Sequence, residues 1–301
     1  MKSTVLVVAV CAAFTALMVF APSVLNAVFD GLDLALGWMG PLWVVTLLSA
    51  AVGVLFIMAF PHISWQRGIV KFKDNGKYNL LGIRLFQDNL KSVMQSTAGT
   101  LGWNFGYLGL NIVPMVVMAL PFMAVWFQFN SLYAFDPLQV GDQRIVVAQL
   151  RDDVDPAEVE LVTPAGAGWS VAAAPVRIAG GKGERFLHFG LSADADGEFD
   201  IVYRHAGEEV TKKVMIGAKT GRLTPVRTAH PWGMFFQTKD PILYFGEGVL
   251  APDSFVQTIY LEYPPAPLGP FGGGEIAIMI LFVVVSLIFG FALKGFFGVE
   301  I

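Results

Sequence analysis

Charged residues are scarce in this sequence of 301 residues: Asp, Glu, Lys and Arg together make up 15%, whereas soluble domains carry about 25%. The single cysteine, Cys11, excludes a disulfide scaffold. No basic run is longer than two residues and the formal net charge is −4, which argues against a nucleic-acid partner. Apolar residues, at 55%, are too abundant for a disordered chain. The class that remains is the integral membrane proteins.

Four windows without any charged residue predict the membrane-spanning segments. A bilayer core about 30 Å thick needs roughly 20 apolar residues in a helix. We therefore expect four transmembrane helices, at residues 5–24, 42–61, 108–129 and 276–293. The first is interpreted as an uncleaved anchor, because its apolar stretch is long for a signal peptide; a cleaved signal peptide is the alternative. An approach helix over 92–107 is expected to precede the third span.

The charges between the spans predict their orientation. The loop between the second and third spans carries six basic and two acidic residues, and such basic loops favour the cytoplasmic side. Both termini would then be cytoplasmic, in a bacterial inner membrane. The segment after the third span holds 12 basic and 19 acidic residues and is expected on the periplasmic side. The six basic residues are Arg67, Lys71, Lys73, Lys77, Arg84 and Lys91.

The basic loop, residues 62–107, has the pattern of an amphipathic helical hairpin. A helix is predicted over 77–94, preceded by a shorter one over 66–73, with a turn signal at 74–76. We expect this hairpin to lie at the inner membrane surface, either anchored to anionic lipids or in contact with a client chain or partner protein. Apolar residues recur in the longer helix at steps of three and four: Ile83, Phe86, Leu90 and Val93.

Between the third and fourth spans the sequence pattern changes to short segments rich in Val, Ile and Phe, separated by Gly- and Asp-rich turns. This pattern predicts an antiparallel β-sandwich with its core at about 142–218. A less regular stretch and a Pro/Gly linker follow it. An aromatic cluster in that stretch is a candidate interface or bilayer contact, with ordinary core packing as the alternative. It consists of Trp232, Phe235, Phe236, Tyr244 and Phe245.

The predicted fold class is thus a membrane α-helical protein with an all-β, sandwich-like extracytoplasmic domain inserted between the third and fourth spans. Its expected segments are two spans, a cytoplasmic hairpin, a third span, the β-domain, and a fourth span with a cytoplasmic tail. They cover residues 1–61, 62–107, 108–135, 136–274 and 275–301.

Motifs for catalysis or metal binding are not found in the sequence. The four histidines share no metal-ligand spacing, and HExxH, Walker A and GxSxG motifs are absent. His188 and His205 could meet only if their strands are neighbours. No predicted span has an ionisable residue near its middle, which weighs against a pump. We therefore expect no catalytic residue, metal or cofactor, although a bound lipid would be compatible.

The order of elements resembles the three-span core of the YidC/Oxa-type membrane insertase superfamily. In that core a span leads to a cytoplasmic hairpin, followed by two further spans. Here these would be residues 42–61, 66–107, 108–129 and 276–293, and the post-hairpin span reads NIVPMVVMALPFMAVWFQFN. The resemblance implies insertion or chaperoning of membrane proteins. The intramembrane Arg of the bacterial insertases has no counterpart in these spans, and the β-domain is placed differently.

Three functions follow as expectations. The first is a non-catalytic subunit of a cell-envelope complex, with the β-domain as docking module. The second is a YidC/Oxa-like insertase or chaperone, and the third is a membrane enzyme or transporter. Uncharacterised bacterial four-span proteins with an outer β-domain have a similar layout. The expected partners are membrane lipids and other envelope proteins.

Overall fold

A computed structural model describes residues 2–164, 166–229 and 246–299 of the chain. The chain divides into two compact units, which we call the helical unit and the β unit. The helical unit comprises Met1–Leu25, Asp33–Val125 and Ile280–Ile301, and the β unit comprises Asn26–Leu32 and Trp126–Met279.

Long apolar helices dominate the helical unit and are compatible with the expected membrane spans. Three of the helices described are each long and apolar enough to cross a bilayer, and a bent pair raises the number to four if it counts as one span. The helices are α1 (Lys2–Phe20), α2 (Pro22–Leu36), α3 (Pro41–Ile63), α4 (Gln66–Leu85), α5 (Leu90–Phe129) and α6 (Gly274–Leu293).

The first predicted span, residues 5–24, is wrong in its end point. Helix α1 stops at Phe20, and the chain bends by 104° before α2. Pro22 is the cause, because it disfavours helical geometry at the preceding residue, and Ala21 has φ −143° and ψ 57°. Most of the stretch between the first two predicted spans is therefore helical, as α2.

The hairpin turn is also displaced from its predicted place. Helix α4 runs without interruption through 74–76, where a turn was expected, and the chain turns instead at 86–89. The predicted helix over 77–94 is thus divided between two helices. Gly76 is a packing residue, since a Cβ atom there would lie 3.9 Å from the Cβ of Trp103.

Helix α5 is continuous from the hairpin into the apolar stretch. The predicted approach helix over 92–107 and span over 108–129 form one helix of 40 residues, about 60 Å long. The helix is interrupted at the bend between α1 and α2, whereas α5 has no such interruption. The second helix of the hairpin and the predicted third span therefore belong to one continuous helix.

Small residues allow α3 and α6 to approach closely within the helical unit. A Cβ atom on Gly53 would lie 2.3 Å from the backbone oxygen of Ser286, so only glycine fits there. Phe122 of α5 stacks on Phe282 of α6 with ring centroids 4.1 Å apart. Close backbone contact and aromatic stacking thus join these helices.

The β unit contains two antiparallel sheets, in the part of the chain where a β-domain was predicted. The strand orders are β3-β4-β1-β8-β7 and β2-β5-β6. The six segments predicted as strands correspond to β1–β6. The strands are β1 (Gln143–Leu150), β2 (Glu160–Val162), β3 (Trp169–Ala179), β4 (Arg185–Ala193), β5 (Gly197–His205), β6 (Glu208–Ile216), β7 (Val226–Thr228) and β8 (Val256–Leu261).

Both sheets contribute to one buried core. Trp169 of the first sheet contacts Phe189, and its Nε1 donates a hydrogen bond to the backbone oxygen of Asp200 in the second sheet at 3.2 Å. Phe189 in turn packs edge-on against Tyr203 of the second sheet. Each strand buries one of its faces, so apolar and polar residues alternate along it. This is why the alternating pattern in the sequence located the strands correctly.

Part of α2 belongs to the β unit and is held there by polar contacts. Arg222 donates from Nε to Asp30 at 2.7 Å and from Nη1 to the hydroxyl of Ser131 at 2.6 Å. The amide of Gln128, which is fully buried, donates to Asn26 at 2.9 Å. Asp30 is thus an ion-pair partner of a nearly buried arginine.

Candidate functional sites

The predicted hairpin forms a close-packed pair of antiparallel helices, which we call the hairpin arm (α4 and residues 90–107 of α5). Its contacts alternate small and large side chains: a Cβ atom on Gly106 would overlap the ring of Phe72, and one on Gly99 would lie 2.6 Å from the Oδ1 of Asn79. Phe72 also packs edge-on against Trp103, with centroids 4.9 Å apart. These contacts fix which residues face outward.

The basic residues predicted for the hairpin lie on the surface of this arm. Lys73 is half-buried, and Lys77 lies 3.4 Å from Asp74 in an exposed pair, a type of contact worth little in water. The other predicted basic residues, Arg67, Lys71, Arg84 and Lys91, are exposed.

The apolar residues predicted as one helical stripe instead surround the turn of the arm. Phe86 lies in the turn itself and is 58% exposed, and Leu90 at the start of α5 is 74% exposed. Ile83 is half-buried near the end of α4. The exposed apolar side chains around this turn come from both helices and from the turn itself: Leu80, Leu81, Leu85, Phe86, Leu90 and Met94.

A cleft of about 300 Å³ lies between the two helices of the arm. Residues at steps of three and four line it from each side, so that two helical stripes face one another. Sequence reasoning identified the lysines but missed the contribution of α5, because helix pairing is not visible in one sequence. The lining residues are Lys73, Gly76, Lys77 and Leu80 of α4, and Thr100, Asn104 and Tyr107 of α5.

A second depression is an apolar groove between α3, α5 and α6, with a volume of about 310 Å³. Phe56 and Phe122, with ring centroids 6.0 Å apart, form part of its wall. Ser286 is the polar side chain at the groove, and its hydroxyl donates to the carbonyl of Val283. The groove is lined by Gly53, Phe56, Ile57, Phe60, Met115, Met118, Ala119, Phe122, Val283, Ser286, Leu287, Gly290 and Phe291.

Three small polar side chains of α3 and α5 bond within their own helices. Thr46 donates to Leu42, Ser49 to Val45, and Asn111 to the backbone oxygen of Tyr107. These bonds satisfy the side chains locally, and none of the three residues lines the groove.

The five-stranded sheet has an apolar face directed away from the core, which we call the outer sheet face. In β1, Val146 and Ala148 are buried in the core, so Ile145 and Val147 point outward. The strand register continues this face across the sheet, since Val147 pairs with both His188 and Tyr260. Ile145 is 62% exposed and Val176 of β3 is 60% exposed.

His188 is the polar residue in the middle of this outer sheet face. Its ring packs edge-on against Phe186 at 5.7 Å, and its Nε2 atom is buried without a hydrogen-bond partner in the described structure. His205 lies on β5 of the other sheet, beside Phe255. The two histidines are therefore not on neighbouring strands, and the possible cluster that they suggested is not formed.

Metal-ligating side chains do not gather elsewhere in the described ranges: no group of three or more His, Cys, Asp or Glu was found there. The aromatic cluster predicted as an interface, Trp232, Phe235, Phe236, Tyr244 and Phe245, lies outside the described residues.

A buried ion pair lies in the core of the β unit. The Nζ of Lys212, a residue 1% exposed, donates to Glu247 at 2.6 Å and to the carbonyl of Thr224. Burial lowers the pKa of Lys212, while the carboxylate of Glu247 acts in the opposite direction. Glu247 also accepts from the backbone N–H of Lys213. The group joins the segment at Glu247 to strand β6.

Comparison with protein-family models, with curated proteins and with solved structures found no match to this chain.

Proposed function

We propose that this chain is a non-catalytic membrane subunit of a cell-envelope complex, and that the outer sheet face docks a partner protein. The observation that carries the proposal is the row Val176, His188, Val147 and Tyr260, which crosses four strands on one face. Val176 and Tyr260 at the ends of this row are exposed, and Val147 and His188 between them are half-buried. Apolar surface of this kind is typical of interaction sites.

The chemistry of this face favours a protein partner. It combines branched aliphatic side chains with Tyr260, Phe186 and His188, residue types whose aromatic rings provide rigid contact area. Strand β3 lies at the edge of the sheet, but Pro175 and two register shifts interrupt it. Proline and bulges protect edges from strand addition, so docking on the face is preferred to pairing along the edge.

A site-specific photo-cross-linker tests this assignment. Placed at Val176, on the outer sheet face, it should give one discrete cross-linked protein product in cells. Placed at Lys182, in the exposed turn between β3 and β4, it should give little or none. Equal products from both positions would contradict a defined docking face.

The proposal includes the four-span topology, with both termini and the hairpin arm in the cytoplasm and the β unit in the periplasm. The basic composition of residues 62–107 supports this orientation. Lys91→Cys and Lys182→Cys, each in a Cys11→Ser background, place a thiol at exposed positions. A membrane-impermeant maleimide should label only the Lys182→Cys protein in intact inner-membrane spheres with the periplasmic face outward. Labelling of Lys91→Cys alone would reverse the orientation.

The second candidate function is an insertase or chaperone, which the apolar groove favours. Insertion of a hydrophobic segment requires an open surface between spans, and α3, α5 and α6 provide one of about 310 Å³. The hairpin arm precedes it in the chain, in the order of the YidC/Oxa-type core. The missing intramembrane Arg means that hydrophobic contact would be the interaction with the client.

Filling the groove tests this candidate. Ala119→Phe adds a ring inside the groove, whereas Val113→Phe adds the same ring at an exposed position of α5 outside the groove lining. An insertase should integrate single-span clients more slowly with Ala119→Phe and at the normal rate with Val113→Phe. Normal insertion in cells depleted of the protein would overturn the candidate.

A further inference from the structure

We propose that the cleft in the hairpin arm binds a phosphate group. The argument begins with its donors: Lys73 and Lys77 stand on one side, and Asn104 and Tyr107 stand on the other. Ammonium, amide and phenol groups all donate hydrogen bonds to anionic oxygens, and ammonium–phosphate contacts are among the stronger ones.

The amide group of Asn104 carries one hydrogen more than its hydrogen bond within α5 uses. Asn104 donates one amide hydrogen to the carbonyl of Thr100 at 2.9 Å, and an amide nitrogen carries two hydrogens. Thr100 donates its hydroxyl hydrogen to the backbone oxygen of Ser96. It therefore lines the cleft without offering that hydrogen to a ligand. The exposed contact between Lys77 and Asp74 is long, at 3.4 Å, and an exposed pair of this kind opposes a bound anion only weakly.

The cleft has room for a ligand beside the lysines, and Gly76 is part of its wall. Gly76 lies between Lys73 and Lys77 on the stripe that faces α5, and the cleft measures about 300 Å³, whereas a water molecule takes only about 30 Å³. A phosphate with part of its ester substituent fits a space of this size.

The position of the cleft favours the headgroup of an anionic lipid as the source of the phosphate. The apolar stretch of α5 begins at Leu108, so Tyr107 and Asn104 lie about 2 and 6 Å before it along the helix. The polar headgroup layer adds roughly 5–7 Å on each side of the hydrocarbon. A soluble phosphate compound has the same chemistry and is the other source.

The test uses the full chain with matched pairs of variants. Lys73→Gln/Lys77→Gln removes two charges from the cleft, and Arg67→Gln/Lys71→Gln removes two charges from exposed sites on the same helix. Binding of phosphatidylglycerol, against phosphatidylcholine, is counted by native mass spectrometry from mixed micelles. Binding of inorganic phosphate to delipidated protein is measured by calorimetry.

We expect phosphatidylglycerol to bind about tenfold more weakly to the cleft variant and nearly normally to the control. The same dependence with inorganic phosphate would also support the site but assign it to soluble phosphates. Equal losses in both double variants, or no loss in the cleft variant, would overturn the proposal. Tyr107→Phe keeps both charges and the helix, so it tests the site if the lysine variant does not fold; it should weaken binding about threefold.

Discussion

Lys212 shows how a charged residue can occupy a core position. It alternates with Val210 and Val214 on β6, all three of which are buried, and its ammonium group is compensated by Glu247 and two backbone carbonyls. Removing one member of a buried pair costs about 3–5 kcal/mol. Without Lys212, the buried carboxylate of Glu247 keeps only the N–H of Lys213 and the more distant Arg227, at 3.8 Å. The neighbouring Lys213 points outward and pairs with Glu198 at the surface.

Substitution of the two adjacent lysines, Lys212 and Lys213, should change the stability of the β unit by different amounts. Lys212→Met should lower the unfolding free energy of the β unit by about 3–5 kcal/mol, and Lys213→Met by at most about 1 kcal/mol. Lys212→Met/Glu247→Leu should recover much of the loss. Denaturant unfolding of the full chain in detergent, followed by tryptophan fluorescence, measures these differences. Equal effects of the two single substitutions would show that the ion pair is not buried in solution.

The contact between α3 and α6 depends on the absence of a side chain at Gly53. Gly53→Ala places a methyl group against the backbone of Ser286, so the helices must separate and the melting temperature should fall. Gly102→Ala is the matched control, because a Cβ atom there meets nothing within 4 Å. That change should leave the free energy of unfolding unchanged or raise it by up to about 1 kcal/mol, because alanine favours the helix more than glycine does. A melting temperature unaffected by Gly53→Ala would contradict the packing.

The hairpin arm allows a direct test of its register. In a Cys11→Ser background, Asn79→Cys/Gly99→Cys should form a disulfide on mild oxidation, because these positions face one another across the arm. Tyr78→Cys/Gly99→Cys should not, since Tyr78 is 67% exposed and points away. Intact mass after alkylation distinguishes the two. Failure of the Asn79→Cys/Gly99→Cys pair to oxidise would contradict this register, because a turn at 74–76 would leave residues 79 and 99 far apart along the chain's helices.

At the scale of the whole molecule, properties that depend on one segment alone could be predicted. Charge-free windows located α3, α6 and the second half of α5, because a bilayer excludes charge from each span separately. Alternating apolar residues located β1–β6 for the same local reason. The bend at Pro22 has a local cause too, because proline disfavours helical geometry in the residue before it, but the prediction of the first span did not use it.

Properties that arise from pairing could not be predicted. The sequence around Gly76 predicts a turn, whereas in the structure Gly76 lies inside α4 and faces Trp103 of α5. The cleft needs Tyr107 opposite Lys73, and the outer sheet face needs the register that sets Val147 beside His188 and Tyr260. Neither the register of the strands nor the pairing of the helices can be predicted from a single sequence.

The central claim is that the outer sheet face holds this chain in a complex, and the mass of the gently extracted particle tests it most directly. Native mass spectrometry of the wild-type protein should give an assembly larger than the single chain of 32.7 kDa. Ile145→Asp/Val176→Asp should give the single chain with an unchanged melting temperature. A wild-type protein that is extracted as a monomer, or an assembly that survives both substitutions, would contradict the account.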